Sequence, residues 1–449
     1  MLNYDNIKTC VRLESERLGL CDWELYYSEA SDISAETFRD EISSFVSSVG
    51  LNIYYRCVID GKTGSASTQS DDEAEVTALV SRAAENARIS EKEERAIIYG
   101  GSKPEDYRKT DLPEFTLPDG AKIKEVVLDS QKVLYSTDKR IADGTESDAY
   151  ASRYTIRLYN SKGLDLSCDV GSSTALLYAV LDDGNEKVFA YDAVYNSLDS
   201  FDNAAKTELA KKVVEDAAAK FGAGKVKTGK YNVVFSTKQA SNLLSAFVSV
   251  FFAEQAQKGL SLLKGKVGEQ IAADCVNITD DPFYPTNPIQ RSFDGEGFPT
   301  RTKRVVEGGK LLTLLYNLTS AEKDGVESTG NSSRGGSGTV TYTFYIEPGE
   351  TSRDELFKVA GEGIYITEMK GLHAGANAVT GDFSIESAGF MIRDGKLAEP
   401  VKSFTIAGNF FELIKNIDTL GSEIDLRAPG FSRVAAPDLL VRDLPAAGE

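Results

Sequence analysis

Residues 245–274, SAFVSVFFAEQAQKGLSLLKGKVGEQIAAD, mark a change in the kind of structure along the chain. The first part of this stretch is apolar at helical spacing, and the second part is basic and interrupted by glycine. We therefore expect one long helix that runs into an irregular basic segment. A hydrolase often carries its catalytic histidines on such a helix, yet this stretch contains no histidine.

The pattern of apolar residues differs on the two sides of that helix. Residues 1–225 alternate helical periodicity with strand-like runs, which predicts an α/β region with a mixed sheet and helices, divisible into 1–102 and 120–225. Residues 226–449 are mostly short strand-like runs separated by tight turns such as EGGK and RDGK. We expect an α+β fold whose β-rich second half has one long helix near its start. Its boundary is expected at Gly222–Lys230, where glycine and lysine replace the apolar pattern.

Two short segments are typical of irregular structure. GKTGSAST, residues 61–68, is rich in glycine, serine and threonine, which predicts a turn. STGNSSRGGSGT, residues 328–339, has the composition of a mobile glycine- and serine-rich loop.

Composition excludes several classes of protein. The 449 residues carry a net charge of −19, which repels nucleic-acid phosphates and anionic lipids, so we expect neither nucleic acid nor membrane as a partner. No apolar run reaches the ~20 residues that span a bilayer, and the first residues lack the features of a signal peptide. The five cysteines are widely spaced and odd in number, which argues against a disulfide framework. We expect a cytoplasmic protein.

Catalytic chemistry has few candidates in this sequence. His373 is the only histidine, so a serine or cysteine triad would have to use it. The spacing S-x-x-K, which places a lysine base beside a serine nucleophile, occurs at Ser136–Lys139 and at Ser261–Lys264, but such short patterns recur by chance. No glycine-rich phosphate-binding motif is present, so we expect no nucleotide cofactor.

Carboxylates cluster at two places in the second half of the chain. Asp280 and Asp281 are adjacent, and Asp294 and Glu296 follow 13 and 15 residues after Asp281. Oxygen ligands of this kind suit Mg²⁺ or Ca²⁺. Acidic turns beside strands produce the same pattern without any metal, so both interpretations stay open.

A set of longer motifs follows one order along residues 258–409. They are KGLSLLKGKVGEQIA, DDP, SFDGEGFPTR followed by VVEGGKL, ESTGN, YIEPG, GIYITE, TGDFS, and GFMIRDGKLAEPV with TIAGN. Together they resemble the TldD/PmbA family, formerly called modulators of DNA gyrase. In the first half, DWELYYSEASDISAETFRDEISSF and GKTGSAST are similar to the same family. The resemblance therefore extends over nearly the whole chain.

The family has two branches that differ in a zinc site. In the TldD branch, the resemblance implies a motif H-E-x-x-x-H just before the K-G-x-S stretch and a cysteine ligand near the C-terminus. Such a subunit is a zinc peptidase, in which metal-activated water attacks the peptide carbonyl. Here the corresponding places fall near Leu244, Ser245 and Ser249, and residues 428–449 contain no cysteine. The chain resembles the other branch, PmbA or TldE, which lacks the motif.

The resemblance implies a non-catalytic subunit that builds a peptidase chamber with a TldD-like zinc peptidase subunit. Its substrate would be a peptide or an unfolded protein segment. We expect no cofactor and no metal in this chain, and a dimer formed with the TldD-like subunit or with itself. Two alternatives stay open: a stand-alone peptide-binding homodimer, and a metal-independent hydrolase that uses His373 or a Ser-x-x-Lys pair.

We expect a substrate to contact two glycine-containing loops, Glu327–Gly336 and Thr380–Ser384, because turns between strands present main-chain groups that can bind an extended peptide. The candidate residues are Thr329, Gly330, Asn331, Thr380, Gly381, Asp382, Phe383 and Ser384. The Asp382 carboxylate could meet a positive group of the peptide, and the Phe383 ring an apolar one. In the alternative interpretation, TGDFS is only a tight turn whose aspartate caps backbone amides.

Overall fold

The structure, a computed structural model, describes residues 2–91, 96–110, 112–195, 198, 201–426 and 433–449. Helices and strands alternate in the first half and strands dominate the second half, which confirms the α+β class. Among the described residues, no helix combines the length and the apolar character that crossing a bilayer requires.

The N-terminal half forms one sheet with helices on one face. Its strands are β1 (Asp22–Phe38), β2 (Glu41–Ile59), β3 (Lys62–Thr68), β4 (Glu146–Asn160), β5 (Asp165–Asp182) and β6 (Lys187–Tyr195), in the order β3-β2-β1-β4-β5-β6. Its helices are α1 (Tyr4–Arg17), α2 (Glu73–Ile89), α3 (Gly120–Thr137) and α4 (Asn203–Ala218), with a 3₁₀ turn at Pro104–Asp106. We expected a mixed sheet here, but every described strand pairing in this N-terminal sheet is antiparallel. The reason is that short hairpins join most of the neighbouring strands.

The C-terminal half contains two sheets. Its strands are β7 (Gly229–Phe235), β8 (Ile278–Asp281), β9 (Lys303–Glu307), β10 (Lys310–Leu311), β11 (Thr343–Ile346), β12 (Gly363–Lys370), β13 (Asp382–Arg393), β14 (Lys396–Asn409), β15 (Ile417–Ile424), β16 (Arg433–Ala435) and β17 (Pro437–Ala447). The sheet orders are β10-β9-β8-β11-β16 and β14-β13-β12-β7-β17-β15.

Short helices connect these strands, and one apolar core lies among them. The helices are α5 (Thr237–Phe247), α6 (Ala253–Gln257), α7 (Leu318–Asp324), α8 (Arg353–Ala360), α9 (Leu372–Gly375) and α10 (Phe410–Lys415), with 3₁₀ turns at Val248–Phe251 and Arg334–Gly336. Phe247 of α5 is buried in the same core as Phe344 of one sheet and Ile364 of the other. Burial of these large side chains supplies most of the driving force that holds the two sheets together.

Tight turns form where the sequence predicts them. Gly308 and Gly309 of EGGK have φ angles of 53° and 75°, and Asp394 and Gly395 of RDGK have φ angles of 49° and 70°. Positive φ at both central residues is the geometry of the two-residue hairpin turn that matches the twist of the strands. The first turn joins β9 to β10, and the second joins β13 to β14.

The segment expected as one long helix is broken into pieces. The helical part starts earlier than expected, at Thr237, and ends at Gln257, with the 3₁₀ turn Val248–Phe251 inside it. Phe252 has extended φ and ψ angles of −83° and 125°, and it forms a β-bridge with Leu315. The amide of Leu315 donates to the carbonyl of Phe251, and the amide of Ala253 donates to the carbonyl of Leu315. This tertiary pairing replaces the helical hydrogen bonds around Phe252, so the helix is interrupted there.

The segment GKTGSAST is a strand, β3, and not a turn. Its residues are small because helix α2 lies directly over it. A Cβ atom on Gly64 would lie 2.1 Å from the carbonyl oxygen of Ala83, so only glycine fits there. The scarcity of apolar side chains, which suggested a turn, therefore reflects close packing of a helix on a strand.

A buried charged cluster joins the two halves of the chain. Arg56 of β2 donates from Nε to Oε1 of Glu24 at 2.9 Å and from Nη1 to the carbonyl of Gly335 at 2.6 Å. The Oε1 atom of Glu296 lies 3.6 Å from the same Nη1. All three charged side chains are essentially inaccessible to water. Burial, opposed by Arg56 and reinforced by Glu296, raises the pKa of Glu24 to about 7.

We expect replacement of Arg56 by methionine to lower the free energy of unfolding by about 3–5 kcal/mol, because removal of one partner leaves buried carboxylates without a cation. Urea unfolding followed by circular dichroism measures the change. Arg82, which pairs with Glu75 at 3.4 Å with both side chains about half exposed, provides the matched control.

The variant Arg82→Met should change the free energy of unfolding by no more than about 0.5 kcal/mol. Adding Glu24→Gln and Glu296→Gln to Arg56→Met should recover part of its loss, because the uncompensated charges are then gone. Equal destabilisation by Arg56→Met and Arg82→Met would contradict the role assigned to the cluster.

Asp148 predicts a pH dependence of stability. Its carboxylate is mostly buried on β4 opposite Glu36, and burial, together with Glu146 and Glu36, raises its pKa to about 7. In the unfolded chain the pKa is about 3.9, so between these values the folded state binds the extra proton. The stability that this group contributes is complete below about pH 4 and is lost as the pH rises towards 7.

The variant Asp148→Asn should therefore gain stability relative to the natural chain as the pH increases from 4.5 to 7.5. Urea unfolding of both chains at several pH values isolates this group, because all other titrations are common to the two. If the free energies of unfolding of the two chains change in parallel with pH over that interval, Asp148 has an ordinary pKa in the folded state.

Candidate functional site

The structure places the eight predicted site residues in two separate environments. Thr329, Gly330 and Asn331 lie in the interior beside the five-stranded sheet, and Thr380–Ser384 lies where β13 begins in the six-stranded C-terminal sheet. Within the described residues, no hydrogen bond joins the two groups.

The first group belongs to a buried polar network. Asn331 donates to Oδ2 of Asp280 at 2.7 Å and accepts from Nζ of Lys303 at 2.7 Å. Lys303 also donates to Oδ2 of Asp280 at 3.0 Å, and burial lowers the pKa of this lysine. Thr329 donates to Oδ1 of Asn331, and Tyr342 donates to the carbonyl of Gly330. The side chains of Thr329 and Asn331 are thus engaged within the chain, and their contact with a substrate stays a prediction.

The same network accounts for the acidic pairs that suggested a Mg²⁺ or Ca²⁺ site. The Asp294 carboxylate accepts from the backbone amides of Glu296, Phe298 and Ser332, and the Glu296 carboxylate accepts from the amide of Leu318. Within the described ranges, no group of three or more His, Cys, Asp or Glu side chains is arranged to hold a metal ion. Asp294 and Glu296 therefore hold the backbone of the turn around them and the start of α7.

The second group lies beside an open groove. The groove has a volume of about 530 Å³ and is lined by two of the motif segments, KGLSLLKGKVGEQIA and TIAGN with the residues after it. Leu262 and Lys266 line one side, and Asn409 and Phe411 line the other. Leu262 is 55% exposed and lies in the lining with Lys266 and Glu412, so the groove offers apolar surface next to charged groups.

Asn409 connects this groove to the TGDFS turn. Its side chain caps α10 by accepting from the amide of Phe411, and it donates to the carbonyl of Thr380 and to Oδ1 of Asp382, both at 2.9 Å. Gly381 has a φ angle of 84°, and a Cβ atom there would lie 2.5 Å from the ring of Phe411. The turn is therefore held in one conformation against the wall of the groove.

Alternation along β13 decides which residues of the turn reach solvent. Asp382 and Ser384 are exposed, whereas Phe383 is 3% exposed and packs edge-on against Phe247, with ring centroids 6.4 Å apart. The hydrogen bond from Asn409 is the main cause that lowers the pKa of Asp382. The turn thus presents an ionised carboxylate, while Phe383 contributes to the core.

The resemblance places zinc ligands near Leu244, Ser245 and Ser249, and these side chains do not suit zinc. Leu244 is 2% exposed and points into the apolar core, and Ser245 and Ser249 offer hydroxyl groups only. Zinc sites in proteins are built from thiolate, imidazole and carboxylate ligands. Residues 428–432, part of the C-terminal stretch that contains no cysteine, lie outside the described residues.

The remaining catalytic candidates stand apart from one another. His373 is exposed on α9, which packs against α5. The Ser261 hydroxyl is buried and donates to the carbonyl of Val250 at 2.6 Å, and the Ser136 hydroxyl donates to the carbonyl of Val133 at 2.7 Å. Within the described residues, neither serine is hydrogen-bonded to the lysine three positions later.

Sequence reasoning missed Asn409 as a functional candidate, although it quoted the motif TIAGN. The signal was present, since asparagine directly before the apolar pair Phe410 and Phe411 is typical of a helix N-cap. Its second role, holding Asp382 across the hairpin, depends on the pairing of β13 with β14 and has no local signature.

Family models match this chain in three consecutive segments. They are PmbA/TldA metallopeptidase domain 1 over residues 23–87, the central domain over 113–221 and the C-terminal domain over 228–448. Among curated proteins, "Metalloprotease PmbA" of Escherichia coli O157:H7 is 25% identical over 440 residues, which covers 95% of this chain and 92% of that protein. "Uncharacterized protein" from Methanocaldococcus jannaschii is 29% identical over 403 residues, covering 87% and 89%.

Solved structures agree with this assignment. A Thermotoga maritima protein named as a modulator of DNA gyrase superposes with a TM-score of 0.88 at 26% identity, covering 99% of this chain and 100% of that one. TldE from Thermococcus kodakarensis shares the fold, with a TM-score of 0.81 at 22% identity over 98% and 100% of the two chains. Because the models of one family follow each other along most of its length, the chain belongs to the PmbA/TldD metallopeptidase family.

Proposed function

We propose that this chain is the non-catalytic subunit of a PmbA/TldD-type peptidase complex. A TldD-like homologue supplies the zinc ion and the water that it activates, and this chain completes the chamber and helps to hold the substrate. The substrate is a peptide or an unfolded protein segment. The complex is cytoplasmic, in keeping with the five cysteines, all of which are free.

The observation that carries the proposal is the chemistry at the ligand positions of the helix. By the resemblance, the first histidine of the zinc-binding branch falls near Leu244, which here packs into the apolar core and offers no metal ligand. The motif segments around these positions still form a groove, beside Asn409 and Phe411. A subunit that has a groove of this kind but no zinc ligands is suited to a partner role.

The groove and its turn support peptide binding. Asp382 carries a negative charge on an ordered turn, and Leu262 offers apolar surface across the groove. An extended peptide with a basic side chain or a free amino group would match both features. Thr329, Gly330 and Asn331 stay part of the proposed contact with the substrate, although the side chains of Thr329 and Asn331 are hydrogen-bonded within the chain.

We expect the purified chain to retain far less than one zinc ion per molecule after dialysis, because no set of suitable ligands is brought together in the described residues. Elemental analysis of the natural chain and of His373→Ala measures this. Stoichiometric zinc in the natural chain that disappears in His373→Ala would contradict the proposal.

The same preparation distinguishes the alternatives. The chain mixed with its zinc-bearing homologue should cleave an unstructured peptide, and a chelator should abolish the cleavage. The chain alone should not cleave. Cleavage by the chain alone in the presence of a chelator would favour the metal-independent hydrolase, through His373 or a Ser-x-x-Lys pair.

We expect Asp382→Asn to lower kcat/KM of the complex for a basic peptide at least about fivefold, because a charge that orients the substrate is lost. Asp394→Asn is the matched control, since Asp394 lies at the opposite end of the same β13–β14 hairpin. A neutral peptide should respond to neither substitution. Equal rates for both variants with the basic peptide would leave the TGDFS turn as a purely structural element.

A further inference from the structure

Arg433 is a buried arginine for which the described part of the chain supplies no partner. It begins β16, and its side chain is 4% exposed. Among the described residues, nothing is hydrogen-bonded to its Nε or Nη1, and the Asp425 carboxylate influences its pKa without forming an ion pair with it. Residues 427–432, which precede Arg433 in the chain, contain no aspartate or glutamate. A positive charge in this position is costly to bury unless an anion comes from outside the chain.

Other buried cations of this chain have a counter-charge of their own. Arg56 pairs with Glu24 at 2.9 Å. Lys303 pairs with Asp280 at 3.0 Å. Burial lowers the pKa of Arg433 to about 10, so its guanidinium is still protonated at pH 7. The fold therefore keeps an uncompensated charge in its interior, and local conflicts of this kind are typical of functional sites.

The side chain of Arg433 points away from the apolar core. Val434, the next residue, packs against that core, and successive side chains of a strand point to opposite faces. β16 pairs in parallel with β11, and Thr343 is the residue opposite Arg433. The guanidinium therefore lies on the same face of the five-stranded sheet as Thr343 and Tyr345.

Tyrosine side chains surround the guanidinium on this face. The phenol groups of Tyr195 and Tyr284 are close enough to act on the pKa of Arg433. The ring of Tyr284 packs edge-on against Tyr345, with the ring centroids 5.2 Å apart. All three tyrosines are partly exposed, so the guanidinium lies directly below the surface. Tyr195 is the last residue of β6, which places Arg433 where the N-terminal sheet meets the C-terminal half.

We propose that Arg433 binds a carboxylate group of the substrate peptide, either its C-terminal carboxylate or an acidic side chain. The inference rests on the proposed function and deepens it, because it names a chemical group that the substrate carries. A guanidinium can donate two parallel N–H bonds to one carboxylate, and this geometry makes arginine the preferred partner of carboxylates at buried sites. A carboxylate is also the anion that an unmodified peptide always carries, at its C-terminus.

The first test compares stabilities and does not involve the peptidase complex. The variant Arg433→Met should resist urea at least as well as the natural chain, because it removes a buried charge that has no partner. Arg56→Met is the matched control and should unfold at a lower urea concentration, since its buried carboxylates lose their cation. A loss for Arg433→Met as large as that for Arg56→Met would show that the chain itself binds the Arg433 guanidinium, and it would overturn the proposal.

The second test identifies the carboxylate. Three unstructured, N-acetylated peptides of equal length are compared: one with a free C-terminal carboxylate, one with a C-terminal amide and a central glutamate, and one with a C-terminal amide and glutamine in place of that glutamate. Fluorescence anisotropy measures their dissociation constants for the chain mixed with its zinc-bearing homologue, in a chelator that prevents cleavage. The first or the second peptide should bind at least about tenfold more tightly than the third, and Arg433→Met should abolish this preference.

The third peptide is the control for a general loss of binding, and its affinity should be the same for Arg433→Met and the natural chain. A second variant, Arg433→Lys, keeps the charge without the paired N–H groups and should keep part of the preference. Equal affinities for all three peptides, a preference that Arg433→Met leaves intact, or an equal loss for the third peptide would each overturn the proposal. Failure of the proposed function would appear instead as the absence of chelator-sensitive cleavage, which the binding measurement does not use.

Discussion

The ion pair between Arg56 and Glu24 is the interaction on which the rest of the structure depends. It lies directly between opposite residues of β1 and β2, and the same guanidinium reaches Gly335 and Glu296 in the other half of the chain. A charged group that is completely buried must find its partners in one geometry. The position of the N-terminal sheet relative to the C-terminal half is therefore specified by hydrogen bonds as well as by apolar contact.

Hydrogen bonds connect this cluster to the motif segments of the C-terminal half. Glu296 holds the start of α7 through the amide of Leu318, and Asp294 holds the amide of Ser332. Ser332 follows Asn331, which binds Asp280 and Lys303. The motifs FDGEG, ESTGN and DDP thus form one connected interior network, in which acidic residues hold backbone amides and polar side chains.

The two remaining motif regions have a different role. KGLSLLKGKVGEQIA and TIAGN lie on opposite sides of the groove, and TGDFS is fastened to the second of them by Asn409. A shared family pattern therefore contains two kinds of residue, some that build the interior and some that shape a surface.

Local patterns predicted the fold well where local physics decides it. The helices of the first half have N-cap residues and apolar spacing that tertiary contacts do not oppose, and the DG and GG turns need only their own φ angles. The helix in the second half failed because Phe252 pairs with Leu315, a contact that no window of sequence contains. β3 was mistaken for a turn because its small residues suggested one, whereas Gly64 is needed for the close packing of helix α2 on the strand.

For the candidate site, which stays a prediction, the sequence did not give the direction of the side chains. Thr329 and Asn331 are polar residues in a glycine-rich segment, which is typical of exposed loops. Both are nevertheless buried, because Asn331 is hydrogen-bonded to buried Asp280 and Lys303, and Thr329 is hydrogen-bonded to Asn331. Phe383 was expected at the surface, and strand alternation turns it to the core. Asn409 gains its importance from a residue 27 positions away.

The span of the Arg56 contacts also sets an order of events during synthesis. Arg56 and Gly335 are 279 residues apart in the chain. At about 5–20 residues per second, a ribosome needs roughly 15–60 s to produce the second after the first. Throughout that time the hairpin of β1 and β2 has Glu24 as a neighbour for Arg56, but water occupies the place of the C-terminal half. The face of the N-terminal sheet that carries Arg56 can be covered only after the segment with Glu296 and Gly335 has been synthesised.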